Sequence, residues 1–232
     1  MAARVPRNFI LLIVNPSPTL KLAPFFLGCM SSHASHDIVI IGAGLAGQRA
    51  AIEARDWGCD VAIVSKVHPV RSHSVAAAGG INAALDARDD WKAHYKDTVY
   101  GSDFLGDQDA IEILCKGAEE NILELESWGV TFSRQKNGNI AQRAFGGQHF
   151  PRTCYAADRT GHMLLHTLYD QLMKRRPIVY AEHYALQLVI ENGTCKGVIV
   201  LNMENGKLLT LHAKAVLLAT GGYGRAFSIT TN

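Results

Sequence analysis

Apolar residues along this 232-residue chain change rhythm repeatedly, and each change predicts an element. Ile38-Val39-Ile40-Ile41 is a β-branched run, the pattern of a strand buried on both faces. Ala50, Ala51 and Ala54 then share one face of a helical segment that Gly58 ends, and residues 61–64 form a second buried strand. Pro69 keeps the chain from continuing as strand or helix, and small residues dominate residues 75–84. Ile111, Leu114, Ala118, Ile122 and Leu125 recur at helical spacing, with Asp109 and Glu112 resembling a capping box and Gly129 as the stop. Residues 132–148 read as a loop with a hairpin turn at Asn137-Gly138. Leu164, Leu165, Leu168 and Leu172 mark another helix, with Thr160 as its N-cap. Beyond Ile178 the pattern turns to strands. Residues 184–191, 196–202 and 208–212, separated by Asn192-Gly193 and Glu204-Asn205-Gly206, predict a three-stranded meander, and residues 216–219 a further buried strand.

The first strand runs straight into Gly42-Ala43-Gly44-Leu45-Ala46-Gly47. Strand, glycine turn, helix and strand within about thirty residues make the βαβ unit that holds a dinucleotide. Gly42 suits the tight turn, Gly44 the close approach of a pyrophosphate, and Gly47 close packing of helix on sheet. The helix N-terminus offers N–H groups and a positive dipole end to the phosphates. An acidic residue normally ends the second strand and takes the ribose hydroxyls, yet Ser65-Lys66 stands there. That turns the reading from an ordinary NAD site towards a flavin nucleotide.

Composition narrows the field further. Hydrophobic content of 48% and charged content of 19% are those of a globular protein large enough for a sizeable core. A formal charge of +2 supplies no basic stripe, so nucleic acid is not expected as a partner. No apolar run has the length of a membrane span. The five cysteines form no C-x-x-C pair, which supports neither a disulfide framework nor a cysteine-held metal. His162 and His166 have metal-ligand spacing without a third ligand, so no metal site is expected. Residues 1–36 contain no Asp or Glu, and are set apart from the fold as a disordered leader: a transit peptide, a poor signal peptide, or an upstream extension before a start at Met30. Residues 37–232 form the folded part. The Asn192-Gly193-Thr194 sequon is incidental in a non-secreted chain.

The polar island Ser72-His73-Ser74, within Arg71 to Ala77 and ahead of Gly79-Gly80-Ile81-Asn82, resembles the flavoprotein subunit of succinate dehydrogenase and fumarate reductase. The resemblance continues through Asp97-Thr98-Val99, Gly101-Ser102-Asp103, Asp107-Gln108-Asp109 and Arg143-Ala144-Phe145-Gly146-Gly147-Gln148. It extends through Ala157-Asp158-Arg159-Thr160-Gly161-His162 and Leu165-His166-Thr167-Leu168 to Ala219-Thr220-Gly221-Gly222-Tyr223-Gly224-Arg225.

The resemblance implies an α/β fold: a Rossmann-type FAD-binding domain with a three-stranded β-meander, here incomplete because capping and C-terminal parts are absent. It implies FAD joined covalently to His73, with Phe145 beside a C4 dicarboxylate. The backbone at Tyr184-Ala185 and at Ala219-Thr220-Gly221-Gly222 would also meet the cofactor. The activity implied is interconversion of succinate and fumarate by hydride transfer, with electrons passing to an iron–sulfur subunit held at a membrane anchor. The location implied is peripheral to the membrane: the cytoplasmic face of a plasma membrane, or the matrix side in a mitochondrion. The family usually carries Gln or Glu where this chain has Ala78. The proton-shuttling arginine and the carboxylate clamps come later in the family than Asn232, so the isolated chain is expected to be inactive. Two other readings stay open: an L-aspartate oxidase-like enzyme with non-covalent FAD, against which the Ser-His-Ser run argues, and a catalytically dead FAD-binding fragment.

Overall fold

The structure, a computed structural model, describes residues 32–230. The expected leader and the start at Met30 lie outside the described residues. The described residues divide into two compact units, one holding residues 32–72 and 168–230, the other residues 73–167.

The first unit is built on a six-stranded sheet in the order β6-β2-β1-β9-β8-β7. Its strands are β1 (Ser32–Ile41), β2 (Val61–Ser65), β6 (Ile178–Ala181), β7 (His183–Glu191), β8 (Thr194–Asn202) and β9 (Leu208–Leu218). β6, β2, β1 and β9 pair in parallel, while β9–β8 and β8–β7 are antiparallel. Helix α1 (Leu45–Asp56) connects β1 to β2 and packs against both. It ends where expected, with Gly58 at φ +79°. Its buried residues are Gly47, Gln48, Ala51 and Ile52, so the stripe is shifted from the expected alanines and takes in a glutamine. One face of the sheet carries a cluster of Val39, Ile41, Ala62, Val64, Val198, Val200, Leu211 and Ala213, the alternation that pleated strands impose.

The strand pattern is corrected in two places. β1 begins at Ser32, so residues 32–36, set aside with the leader, are its first half and pair with β9 from Ser32↔Leu209 to His36↔Ala213. The expected strands at 208–212 and 216–219 are one continuous β9, and its end is not fully buried, with Leu218 exposed. The meander is therefore no separate layer. β9 bonds β8 on one side and β1 on the other, and Lys214 reads as polar because it faces out to Asp37, 2.6 Å away.

The second unit holds a small antiparallel sheet, β3 (Ile81–Asn82), β5 (Thr153–Cys154) and β4 (Gln142–Arg143), in the order β3-β5-β4. Helices α2 (Trp91–Gly101) and α3 (Gln108–Ser127) pack together beside it. The N-cap of α3 is Asp107, whose carboxylate accepts the N–H groups of Asp109 and Ala110; the expected cap, Asp109, lies inside the first turn. The buried stripe of α3 is Cys115, Ala118 and Ile122, while Leu114 is exposed. A cysteine has taken the core position because it behaves as a small apolar side chain. The turn at Asn137-Gly138 forms as expected, between the bridge partners Arg134 and Ile140. Helix α4 (Thr160–Lys174) begins in this unit and ends in the other. Leu164, Leu165, Leu168 and Leu172 are all buried. The Thr160 hydroxyl accepts the Ala156 N–H, four residues back, instead of capping forward into the helix.

Candidate functional site

Backbone atoms crowd the turn after β1 so closely that no side chain could share the space. Gly42 has φ +110°, and a Cβ there would stand 2.1 Å from the Ala219 carbonyl oxygen. A Cβ on Gly47 would stand 1.9 Å from the Gly42 oxygen, so α1 lies directly on the turn. The Gly42 N–H donates to Val64 O at 2.8 Å, and the Ala219 N–H donates to Ile41 O at 2.8 Å. The turn is thereby stitched to β2 on one side and to the end of β9 on the other. Gly44 is the N-cap of α1, and the first turn holds no acidic residue. A helix start of that kind presents its dipole and backbone donors to an anion.

The other expected cofactor residues of this unit fall around the same strands. Ala43 is buried, Leu45 half-buried and Ala46 exposed. Ser65 ends β2 and is buried, with Lys66 exposed beyond it. Thr220, Gly221 at φ +77° and Gly222 follow β9 and are exposed. Tyr184 and Ala185 open β7, which follows β6 after the single residue Glu182 and starts beside β2. Gln48 escaped the sequence reading: it is fully buried, its amide donates to Ala43 O at 2.9 Å, and its Oε1 has no partner. Ser72, also in this unit, follows the 3-10 turn Pro69–Arg71 and donates its N–H to Pro69 O.

In the second unit His73 opens a 3-10 turn, His73–Ala76, and its side chain is exposed. Ser74 is half-buried beside it. Backbone contacts hold the turn. Gly161 donates its N–H to Ala77 O at 2.7 Å, and Arg143 donates through Nη2 to the carbonyls of Ala78 and Gly79. The Arg143 guanidinium lies over the Tyr155 ring, 4.5 Å from its centroid. A Cβ on Gly80, at φ +123°, would stand 2.5 Å from Cys154 O, so this glycine lets β3 approach β5. Phe145 is no core residue. It is 57% exposed and lies against Gly79, where a Cβ would be 3.4 Å from its ring. The Cys154 thiol is pushed up to about 12 by burial, which leaves it unreactive.

Beneath this loop lies a charge network that no periodicity announces. Arg152, fully buried, donates through Nε and Nη2 to Asp89 at 2.8 and 2.9 Å and through Nη1 to Asp97. Asp97 also accepts the His149 backbone N–H at 3.0 Å and bonds the His149 ring. Burial pushes the Asp97 carboxyl up, but the bonds from His149 and Arg152 outweigh it and hold the group below its ordinary range. Burial opposes the Arg152 charge too, and its two aspartates outweigh that. Burial and then the Arg152 charge push the His94 imidazole down. The Arg152 backbone oxygen accepts the Ala83 N–H at 3.0 Å, and the Thr153 hydroxyl donates to Asn82 Oδ1 at 2.7 Å, so the network is tied to β3, next to the histidine loop. The His162 and His166 rings lie tilted with centroids 4.1 Å apart, and among the described residues no three His, Cys, Asp or Glu come together as a metal site.

A doubly bonded glycine turn between parallel strands and an uncapped helix defines a dinucleotide-binding α/β protein. The chain belongs to the FAD binding domain family, whose model it matches over residues 37–232. Among curated relatives, it is 50% identical over 210 residues to the succinate dehydrogenase flavoprotein subunit of Rickettsia bellii, covering 86% of this chain and 35% of that protein. It is 48% identical over 231 residues to the mitochondrial succinate dehydrogenase [ubiquinone] flavoprotein subunit of Oryza sativa, covering 93% and 37%. Its structure resembles that of E. coli quinol fumarate reductase with a TM-score of 0.81 at 39% identity, covering 84% of this chain and 34% of that one. The chain thus spans about a third of the length of the relatives it matches. No helix among the described residues is long and apolar enough to cross a membrane.

Proposed function

We propose that this chain is the FAD-binding part of a succinate dehydrogenase or fumarate reductase flavoprotein subunit. The observation that carries the reading is the cradle at Gly42 and Gly47, where a Cβ would stand 2.1 and 1.9 Å from backbone oxygen. Such a cradle, with the uncapped start of α1, suits the pyrophosphate of a dinucleotide. Gly44 to Gly47 bind the phosphates through backbone N–H groups, Ser65-Lys66 and Tyr184-Ala185 lie towards the adenosine, and Ala219 to Gly222 close the turn. FAD, when bound, supplies the hydride chemistry. His73 would hold it covalently, through an imidazole nitrogen at the 8α carbon.

Phe145, exposed beside Gly79, packs against the dicarboxylate and excludes water from the reacting carbons. The complete assembly interconverts succinate and fumarate, passes electrons to an iron–sulfur subunit, and sits peripherally on a membrane anchor. The test is His73→Ala in the purified flavoprotein. Flavin should stay bound but become extractable by acid, and succinate oxidation should fall first. Acid-stable flavin in that variant would remove His73 from the reading.

A further inference from the structure

The turn that carries His73 spans four residues, His73–Ala76, and the Ala77 N–H following it reaches Ser74 O at 3.3 Å. It is gripped from the first turn of α4. Gly161 is buried there and donates its N–H to Ala77 O at 2.7 Å. A Cβ on Gly161 would stand 2.1 Å from Ser74 O, 2.8 Å from the Ala77 Cβ and 2.9 Å from Ala77 O. The helix backbone therefore rests on two carbonyls that follow His73 in sequence, which places partial negative charge at the positive end of the helix dipole. The helix start is itself fixed, because the Thr160 hydroxyl holds the Ala156 N–H at 3.1 Å. Glycine is a poor helix former, and the missing side chain is what permits this contact.

We propose that Gly161 is a positioning residue for His73: it seats the histidine turn on the start of α4, so the exposed imidazole is presented in one place. The proposal rests on the reading of His73 as the FAD-linked residue. The Ser74 and Ala77 carbonyls are engaged, while the His73 side chain stays exposed.

The test is Gly161→Ala in the purified flavoprotein, read in two ways. In FAD-free protein, amide exchange at residues 74–77 should quicken at least tenfold. With FAD and fumarate supplied, total bound flavin should match the parent protein, while acid-stable flavin should form at least tenfold more slowly. Parent-like exchange together with parent-like linking would overturn the proposal. If Gly161→Ala does not yield soluble protein, Thr160→Val serves instead. It frees the Ala156 N–H and loosens the same helix start without adding an atom against the loop. It should slow linking with total flavin unchanged, and an unchanged rate would count against the proposal. A parent protein with no acid-stable flavin would refute the role of His73 alone, because the exchange measurement still decides whether Gly161 anchors the turn.

Discussion

The glycine turn and the histidine loop are both made largely of small residues, yet they sit in different surroundings. Around Gly42 the restraints are backbone against backbone, beside the fully buried β2. Around His73 the Gly161 backbone and single hydrogen bonds hold the carbonyls, in a unit that also contains a buried arginine between two aspartates. The first comes with a sequence pattern, because the glycines it requires stand at fixed spacing. The second depends on charges far apart in sequence whose value lies in being satisfied together.

The sharpest way to break the contrast is Arg152→Ala. It leaves Asp89 and Asp97 buried without their cation, and removing one partner of such a group costs about 3–5 kcal/mol. Urea unfolding should show that loss, with the histidine loop exchanging fastest. An effect below about 1 kcal/mol, the range of surface pairs, would mean that the network does not support the loop. Gly42→Ala attacks the other region. Forcing a Cβ against Ala219 O at a positive φ should cost about 1–3 kcal/mol as overpacking does, and FAD affinity should fall further than stability. Unchanged FAD affinity would detach the turn from the cofactor.

Acid should separate the two regions without mutation. In the unfolded chain His94 takes a proton below about pH 6.5, whereas the folded protein resists until a lower pH. The unfolded state then binds more protons, so stability falls as pH drops from about 6.5 towards the folded value. The Asp97 contribution is present above the ordinary carboxylate value of about 3.9 and is lost as pH falls through its lowered value. Both act in the histidine-loop unit, which should loosen first, and His94→Gln should abolish the upper phase. The smallest effect is expected at Asp107→Ala, which removes the true cap of α3 and should cost about 1 kcal/mol. Asp109→Ala should cost clearly less, and equal losses would contradict the placement of the cap.

The same contrast explains what was legible in the sequence. β1, α1 and β2 could be read because burial on both faces writes a run of Ile and Val, and because Gly42 and Gly47 sit at spacings that sterics demand. The strand boundaries failed where burial is incomplete: Ser32 to His36 are polar except for Ala34, and β9 is interrupted by Lys214. Helix α2 was missed although Asp90 caps it, accepting the Ala93 N–H at 2.7 Å, because two of its three buried residues, His94 and Asp97, are polar. The pairing of Arg152 with Asp89 and Asp97 left no trace, since an arginine in a loop carries no mark of its partners. Arg143 was visible only within a family motif, and its grip on Ala78 and Gly79 is a matter of folded geometry.

The central position of β9 has a consequence for the making of the protein. Of the two partners of β1, β2 leaves the ribosome soon after it, whereas β9, beginning with Leu209 opposite Ser32, follows only about 177 residues later. At about 5–20 residues per second the interval is on the order of 10–35 s. Throughout that time the sheet has an open apolar edge at its middle, where β9 has yet to arrive, and the turn at Gly42 lacks the Ala219 carbonyl that confines it. The cofactor cradle is therefore complete only once the chain has returned to close the sheet from within.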